Sequence, residues 1–145
     1  MESLINWHSR PRPEHVTLEG RFCRLEPLDL ARHGDQLFSA SMAPGVEERF
    51  RFLSDSPQDR PAFEAWLARS AVSEDPMFYA VIDISTQRCE GRQSLMRITP
   101  EHGVIEIGHI LWGPAIARTR VATEALFYLF DMCSRNSAIV ARVEM

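Results

Sequence analysis

The sequence contains no lysine, and all 16 basic residues are arginine. That absence excludes Schiff-base enzymes, pyridoxal-phosphate attachment, phosphate-binding loops ending in Lys-Ser/Thr, and protein kinases, each of which needs a lysine amine. Genomic base composition accounts for such a bias without any functional cause, and the exclusion holds either way. Cysteine is sparse as well. Cys23, Cys89 and Cys133 are odd in number and widely spaced, with no Cys-x-x-Cys pair and no Cys/His cluster. Neither a metal site nor a disulfide framework is therefore predicted, and reduced thiols in a cytoplasmic protein are the expectation. No Gly-x-Ser-x-Gly elbow and no Gly-x-Gly-x-x-Gly run is present. No apolar stretch reaches the ~18 residues of a membrane span, and residues 1–12 lack the apolar centre of a signal peptide, so no membrane association is predicted. The formal charge of −4 supplies no basic field, and no nucleic-acid partner is expected.

What is present is globular. The chain has 145 residues, 45% hydrophobic and 25% charged, which fits a single domain over 1–145 with one ordinary core. Val16 to Leu18 is short and β-prone, and Phe22 to Pro27 alternates as a strand does. Asp29 is placed to cap a helix from Leu30 to about Ser41. Glu47 to Leu53 suggests a short helix. Asp59, with Pro61 in the first turn, starts a firmer one from Arg60 to about Val72. Three strands follow: Met77 to Ile84, Gly91 to Thr99 after a turn at Gln87 to Glu90, and Val104 to Trp112. A helix from Arg120 to about Ser134 is apolar almost all round, which predicts full burial. Ala138 to Glu144 reads as a last strand. This order predicts an α+β chain with at least one crossover connection.

The segment from Glu106 to Ala125 carries the chemistry. A strand runs into a short loop that opens a helix. A helix N-terminus leaves about four amides unpaired and carries partial positive charge, which suits a phosphate. Arg118 and Arg120 add two cations beside it, and Thr119 and Thr123 add hydroxyls. An ordinary strand–loop–helix corner with two solvated arginines has the same pattern, so the anion site stays one of two readings here.

Pro114-Ala115-Ile116 followed by Arg118-Thr119-Arg120-Val121-Ala122-Thr123-Glu124-Ala125 resembles the coenzyme-binding turn of the GCN5-related N-acetyltransferase (GNAT) family, in its Rim-like branch, where Thr-Glu-Ala opens the helix. Leu18-Glu19-Gly20 with Arg24 to Leu28 resembles the family's first strand. Met77 to Val81 resembles its second, and Ile105-Glu106-Ile107-Gly108-His109 its bulged fourth. The resemblance covers almost the whole chain and rests on several motifs in the right order. It implies a three-layer fold, with a mixed, mostly antiparallel sheet flanked by helices. Two departures stand out. Arg120 occupies the position of the loop glycine, and Ala117 the first motif position. The family fold also continues with another helix and two strands where this chain ends at Met145. The expectation is therefore a C-terminally truncated fold, with a second copy as the partner that would complete the sheet.

The resemblance also implies roles. Acetyl-CoA is the co-substrate and an amine the acceptor, either a protein N-terminus or a small molecule. The family attacks the thioester directly, without an acyl-enzyme. A bulge at Gly108 would let backbone amides near Ile110, Leu111 and Trp112 reach the pantetheine arm. Ala117, Arg118, Thr119, Arg120, Val121, Ala122 and Thr123 would hold the pyrophosphate. Glu106 is the first candidate base and His109 the second. Being three apart, they face opposite sides of a regular strand, and a bulge could change that. A paired strand carboxylate and a packed imidazole are the plain alternatives. A truncated or degenerate domain that binds CoA or oligomerises without catalysis is the alternative function.

Overall fold

The computed structural model describes residues 15–51, 53, 59–99, 104–135 and 140–143. Its elements are β1 (Leu18–Glu19), β2 (Cys23–Pro27), α1 (Leu30–Ser41), α2 (Val46–Phe50), α3 (Arg60–Ala71), β3 (Met77–Asp83), β4 (Arg88–Thr99), β5 (Val104–Trp112), α4 (Arg120–Arg135) and β6 (Val140–Val143). The six strands form one sheet in sequence order. Neighbours from β1 to β5 are antiparallel, and β6 joins β5 in parallel after the crossover through α4. The expected mixed, mostly antiparallel sheet is present.

Local sequence accounts for the helix starts. The Asp29 side chain accepts from Arg32 N at 2.9 Å, and that of Asp59 accepts from Ala62 N at 3.0 Å. Each satisfies an amide the first turn would leave bare, worth about 0.5–2 kcal/mol. Gly113 ends β5 at a close crossing. Its N–H donates to Glu90 O at 2.7 Å, and a Cβ there would lie 2.9 Å from the Ala40 Cβ.

Helices cover both faces, which makes three layers. On one face α4 packs with Cys23, Leu25, Tyr79, Val81, Leu95, Ile105 and Ile107. On the other, α1 and α3 bring Leu37, Phe63 and Leu67 against Leu28, Phe78, Ala80 and Ile82. Met77 to Ile82 are buried throughout, as a strand covered on both sides requires.

Several boundaries differ from expectation. β1 is Leu18–Glu19 rather than Val16 to Leu18, and α2 starts at Val46 and ends at Phe50. β4 begins at Arg88, inside the expected turn, because Arg88 and Cys89 pair with Asp83 and Ile82. The larger correction concerns α4, which is not buried all round. Ala122, Ala125 and Leu129 face the sheet, while Phe127 is 61% exposed and Thr123 is exposed. Apolar composition concealed a one-sided helix, since the spacing i, i+3, i+7 alone defines its buried stripe.

Candidate active site

The site is organised by an irregularity between β4 and β5. Arg92 pairs with Leu111 and Ser94 with Gly108, so Gln93 alone faces both His109 and Ile110. This is a β-bulge, one residue beyond the expected Gly108. His109 takes a left-handed φ of 51° to make it. Two carbonyls leave the ladder there, and β4 side chains take them up. Ser94 Oγ donates to Gly108 O at 3.0 Å, and Arg92 Nη1 donates to His109 O at 3.1 Å. Both side chains are buried, so these bonds supply what buried carbonyls need.

The bulge also resets strand parity. Ile105 and Ile107 belong to the α4-side cluster, so Glu106 between them faces α1 and α3. His109 would face α4 in an unbroken strand. With the extra residue it lies on the same side as Glu106, its ring 5.3 Å from that of Phe78. The two candidate bases thus share a face but differ in setting. Glu106 is 8% exposed and accepts from Arg97 Nη1 at 2.8 Å. His109 lines a cavity of about 280 Å³ with Trp66, Arg69, Ser70, Ser73 and Phe78. Its Nδ1 lies 2.9 Å from Ser94 Oγ. The serine's one proton is directed to Gly108 O, so the Nδ1 contact is donation from the ring. That assigns the Nδ1–H tautomer and makes Nε2 the acceptor nitrogen of neutral His109.

Beyond the bulge, β5 has a bare edge. β6 pairs with Val104 to Ile107 only, so among the described residues no strand lies against 108–112 on that side. Ile110 and Trp112 lean on the α4-side cluster and Leu111 is buried. Gln93, also buried, ties this edge to the helix. Its amide donates to Ala125 O at 2.8 Å and accepts from Trp112 Nε1 at 3.3 Å. Nothing in the sequence pattern marked Gln93.

The edge leads to the mouth of α4. Thr119 precedes the helix, and Thr123 N closes the first turn on Thr119 O at 3.2 Å. The amides of Arg120, Val121 and Ala122 therefore precede any intrahelical partner. The expected hydroxyl donors are engaged elsewhere: Thr119 Oγ1 donates to Ile116 O, and Thr123 Oγ1 to Thr119 O at 3.3 Å. The left-handed residue is Arg118, at φ 64°, while Arg120 is helical and needs no glycine. The Arg120 guanidinium lies over the Phe22 ring, 5.7 Å from its centroid. Ala117 N turns back to Gly113 O at 3.0 Å.

Glu124, the carboxylate nearest this mouth in sequence, is turned away. It accepts from the amides of Arg21, Phe22 and Cys23 at 3.1, 2.7 and 2.8 Å. Burial pushes its carboxyl up, but those amides outweigh it and hold the pKa below the usual range. A Cβ on Gly20 would lie 2.3 Å from Glu124 Oε1, so the glycine of the β1–β2 turn makes room for this clasp. Asp83 lines a hollow with Thr119 and Val121, and its Oδ1 accepts from Ser85 N and Oγ at 2.9 and 2.7 Å. With Glu124 turned away, the leading amides of α4 remain as donors, a set that fits a diphosphate.

The described cysteines offer no accessible thiolate. Cys23 and Cys89 are buried, and burial pushes both thiols up to about 12. No cluster of three or more His, Cys, Asp or Glu could hold a metal there, and no helix among these residues is long and apolar enough to cross a membrane.

These features define a three-layer α/β fold with a bulged fifth strand, a bare strand edge and an open helix mouth. Solved structures agree. A GCN5-related N-acetyltransferase from Brucella melitensis is 49% identical with TM-score 0.86, over 89% of this chain and 59% of that one. A probable GNAT-family acetyltransferase from Chromobacterium violaceum is 31% identical with TM-score 0.81, over 92% and 67%. A ribosomal L7/L12 alpha-N-protein acetyltransferase, 14% identical with TM-score 0.69, shares the fold. No protein-family model matches the sequence, and no curated protein does. The chain belongs to the GCN5-related N-acetyltransferase family. It spans about three fifths to two thirds of the length of those two relatives.

Proposed function

We propose that this chain is an acetyl-CoA-dependent N-acetyltransferase of the cytoplasm, in the Rim-like branch, acting on a primary amine by direct attack. The observation that carries this reading is the continuity from the bulge at His109, along the bare β5 edge, to the amides at the mouth of α4. Acetyl-CoA, when bound, supplies the acetyl group as a thioester whose carbonyl carbon takes the amine and whose sulfur leaves with the bonding pair.

The residues supply position and a proton acceptor. Amides of Arg120, Val121 and Ala122 would hold the diphosphate, with the exposed Arg118 as the cation beside them. Backbone groups of Ile110, Leu111 and Trp112 align the pantetheine amides as a missing strand would. Gly108 and His109 stand at the bulge where that edge begins, and an amide donor there would stabilise charge developing on a thioester oxygen. Positioning of this kind supplies most of the rate. The acceptor arrives as an ammonium and must lose a proton, which His109 Nε2 takes. We assign the base to His109 because it lines the cavity. Glu106 is held by Arg97 and tunes the electrostatics of that face from below.

The test is calorimetry with acetyl-CoA on the full chain, followed by amine-dependent release of free CoA thiol. Micromolar binding with release on adding an amine is expected. Binding without release from any amine favours a non-catalytic CoA-binding domain, and no binding by folded protein overturns both.

A further inference from the structure

The cavity beside His109 is lined by two kinds of wall. Trp66 and Phe78 meet edge to face, 5.5 Å between centroids, and Trp66 also stacks on Phe63 at 5.8 Å. Fixed aromatic faces of this sort receive an apolar group. Opposite in character is Arg69, in the last turn of α3. It is exposed and, among the described residues, takes part in no ion pair. Ser70 and Ser73 add hydroxyls, and no Asp or Glu lines the space. Behind Trp66 the buried Arg92 guanidinium lies 4.5 Å from the indole centroid. At about 280 Å³ the cavity has room for about nine water-sized groups, taking about 30 Å³ for each. That matches the nine non-hydrogen atoms of a free leucine, or the benzyl group of a phenylalanine with its α-carbon and amine, the carboxylate lying at the open rim by Arg69.

We propose that the acceptor is a free α-amino acid with an aromatic or branched apolar side chain. Its carboxylate meets Arg69, its side chain lies on Trp66 and Phe78, and its amine faces His109. This deepens the transferase reading above and rests on it for the chemistry, not for the binding. Charge decides against the other amines. A polyamine brings a second ammonium to a site lined by the Arg69 guanidinium and by no carboxylate, a like-charge juxtaposition that disfavours it. A protein N-terminus presents an uncharged peptide group where Arg69 offers a carboxylate its forked donors.

Titration calorimetry on the full chain, with and without saturating CoA, tests this using L-phenylalanine, L-leucine, L-phenylalaninamide and spermidine. Phenylalanine or leucine should bind at least about tenfold more tightly than the amide, the scale of one charge-assisted contact. Spermidine should give no binding. Arg69→Glu should bring the acid-to-amide preference to about one or invert it, and Arg69→Lys should keep part of it. Equal or tighter binding of the amide points to peptide acceptors and overturns the proposal. So does tightest binding by spermidine, an unchanged preference in Arg69→Glu, or no binding of either amino acid up to about 10 mM, beyond ordinary substrate affinities. If acetyl-CoA fails to bind while the amino acids still do, the transferase reading falls and this assignment of the cavity stands. The reverse result removes only this assignment.

Discussion

On the face covered by α4 the strands present Leu25, Tyr79, Val81, Leu95, Ile105 and Ile107. On the face covered by α1 and α3 the same strands present Glu26, Arg92, Ser94 and Glu106 among Phe78, Ala80 and Ile82. Burying polar groups is costly unless they are paired, and here they are. Glu26 meets His33 at 2.7 Å and Arg24 at 2.7 Å, Ser94 meets Gly108 and His109, and Arg92 meets the bulge carbonyl. The first face is held mainly by area removed from water, with the buried Gln93 amide bonded to Ala125 O of α4. The second spends buried hydrogen bonds on fixing one irregular strand, and that strand carries the candidate chemistry.

Substitutions on the two faces should therefore separate catalysis from stability. His109→Ala should lower amine-dependent CoA release by about 10²- to 10⁴-fold, the usual worth of a general base, with the acetyl-CoA affinity and the urea midpoint little changed. Leu129→Ala, on the opposite face, should cost about 2–5 kcal/mol in urea denaturation and leave the turnover of the folded fraction intact. A similar loss of turnover in both would erase the distinction between the faces.

Glu124→Gln should cost about 1–2 kcal/mol, because three amides lose a charged acceptor. Its pH dependence follows from sign. The folded pKa of Glu124 lies below the usual carboxylate range, as does that of Glu26. Burial pushes Glu26 up, but His33 and Arg24 hydrogen bonds and the Arg32 charge outweigh it. Their stabilisation is complete above the ordinary value of about 4.3 and is lost as pH falls below it through the folded values. Stability measured from pH 6 down to 3 should fall in the parent and fall less steeply in Glu124→Gln. Ser94→Ala should reduce kcat about tenfold, as the loss of one hydrogen bond implies. It should also shift the acid limb of the kcat profile while sparing the KM for acetyl-CoA, the mark of a positioning residue rather than a packing one. The smallest effect belongs to Arg118→Ala, a few-fold weaker acetyl-CoA binding that fades with added salt.

The regular elements were legible because period and caps agree. Asp29, Asp59 and the alternation in 104–112 define α1, α3 and β5 closely. The mouth of α4 was legible because a strand, a short loop and an apolar run follow one another. What escaped was whatever depends on contacts between distant segments. Glu124 lies in α4, yet it serves a turn about a hundred residues earlier. Glu26 and His33 carry no motif spacing, and meet because a strand and a helix cross. The bulge was expected from resemblance, but its effect on Glu106 and His109 needed the register to be known. The exposed flank of α4 was hidden because Phe and Leu look alike to a composition count.

The most direct measurement is the amide spectrum of the full chain during titration with acetyl-CoA. The account predicts that the largest shifts fall on Gly108 to Trp112 and on Arg120 to Ala122, with His109 ring signals moving in step. Binding that leaves those amides unmoved and perturbs another surface would contradict it.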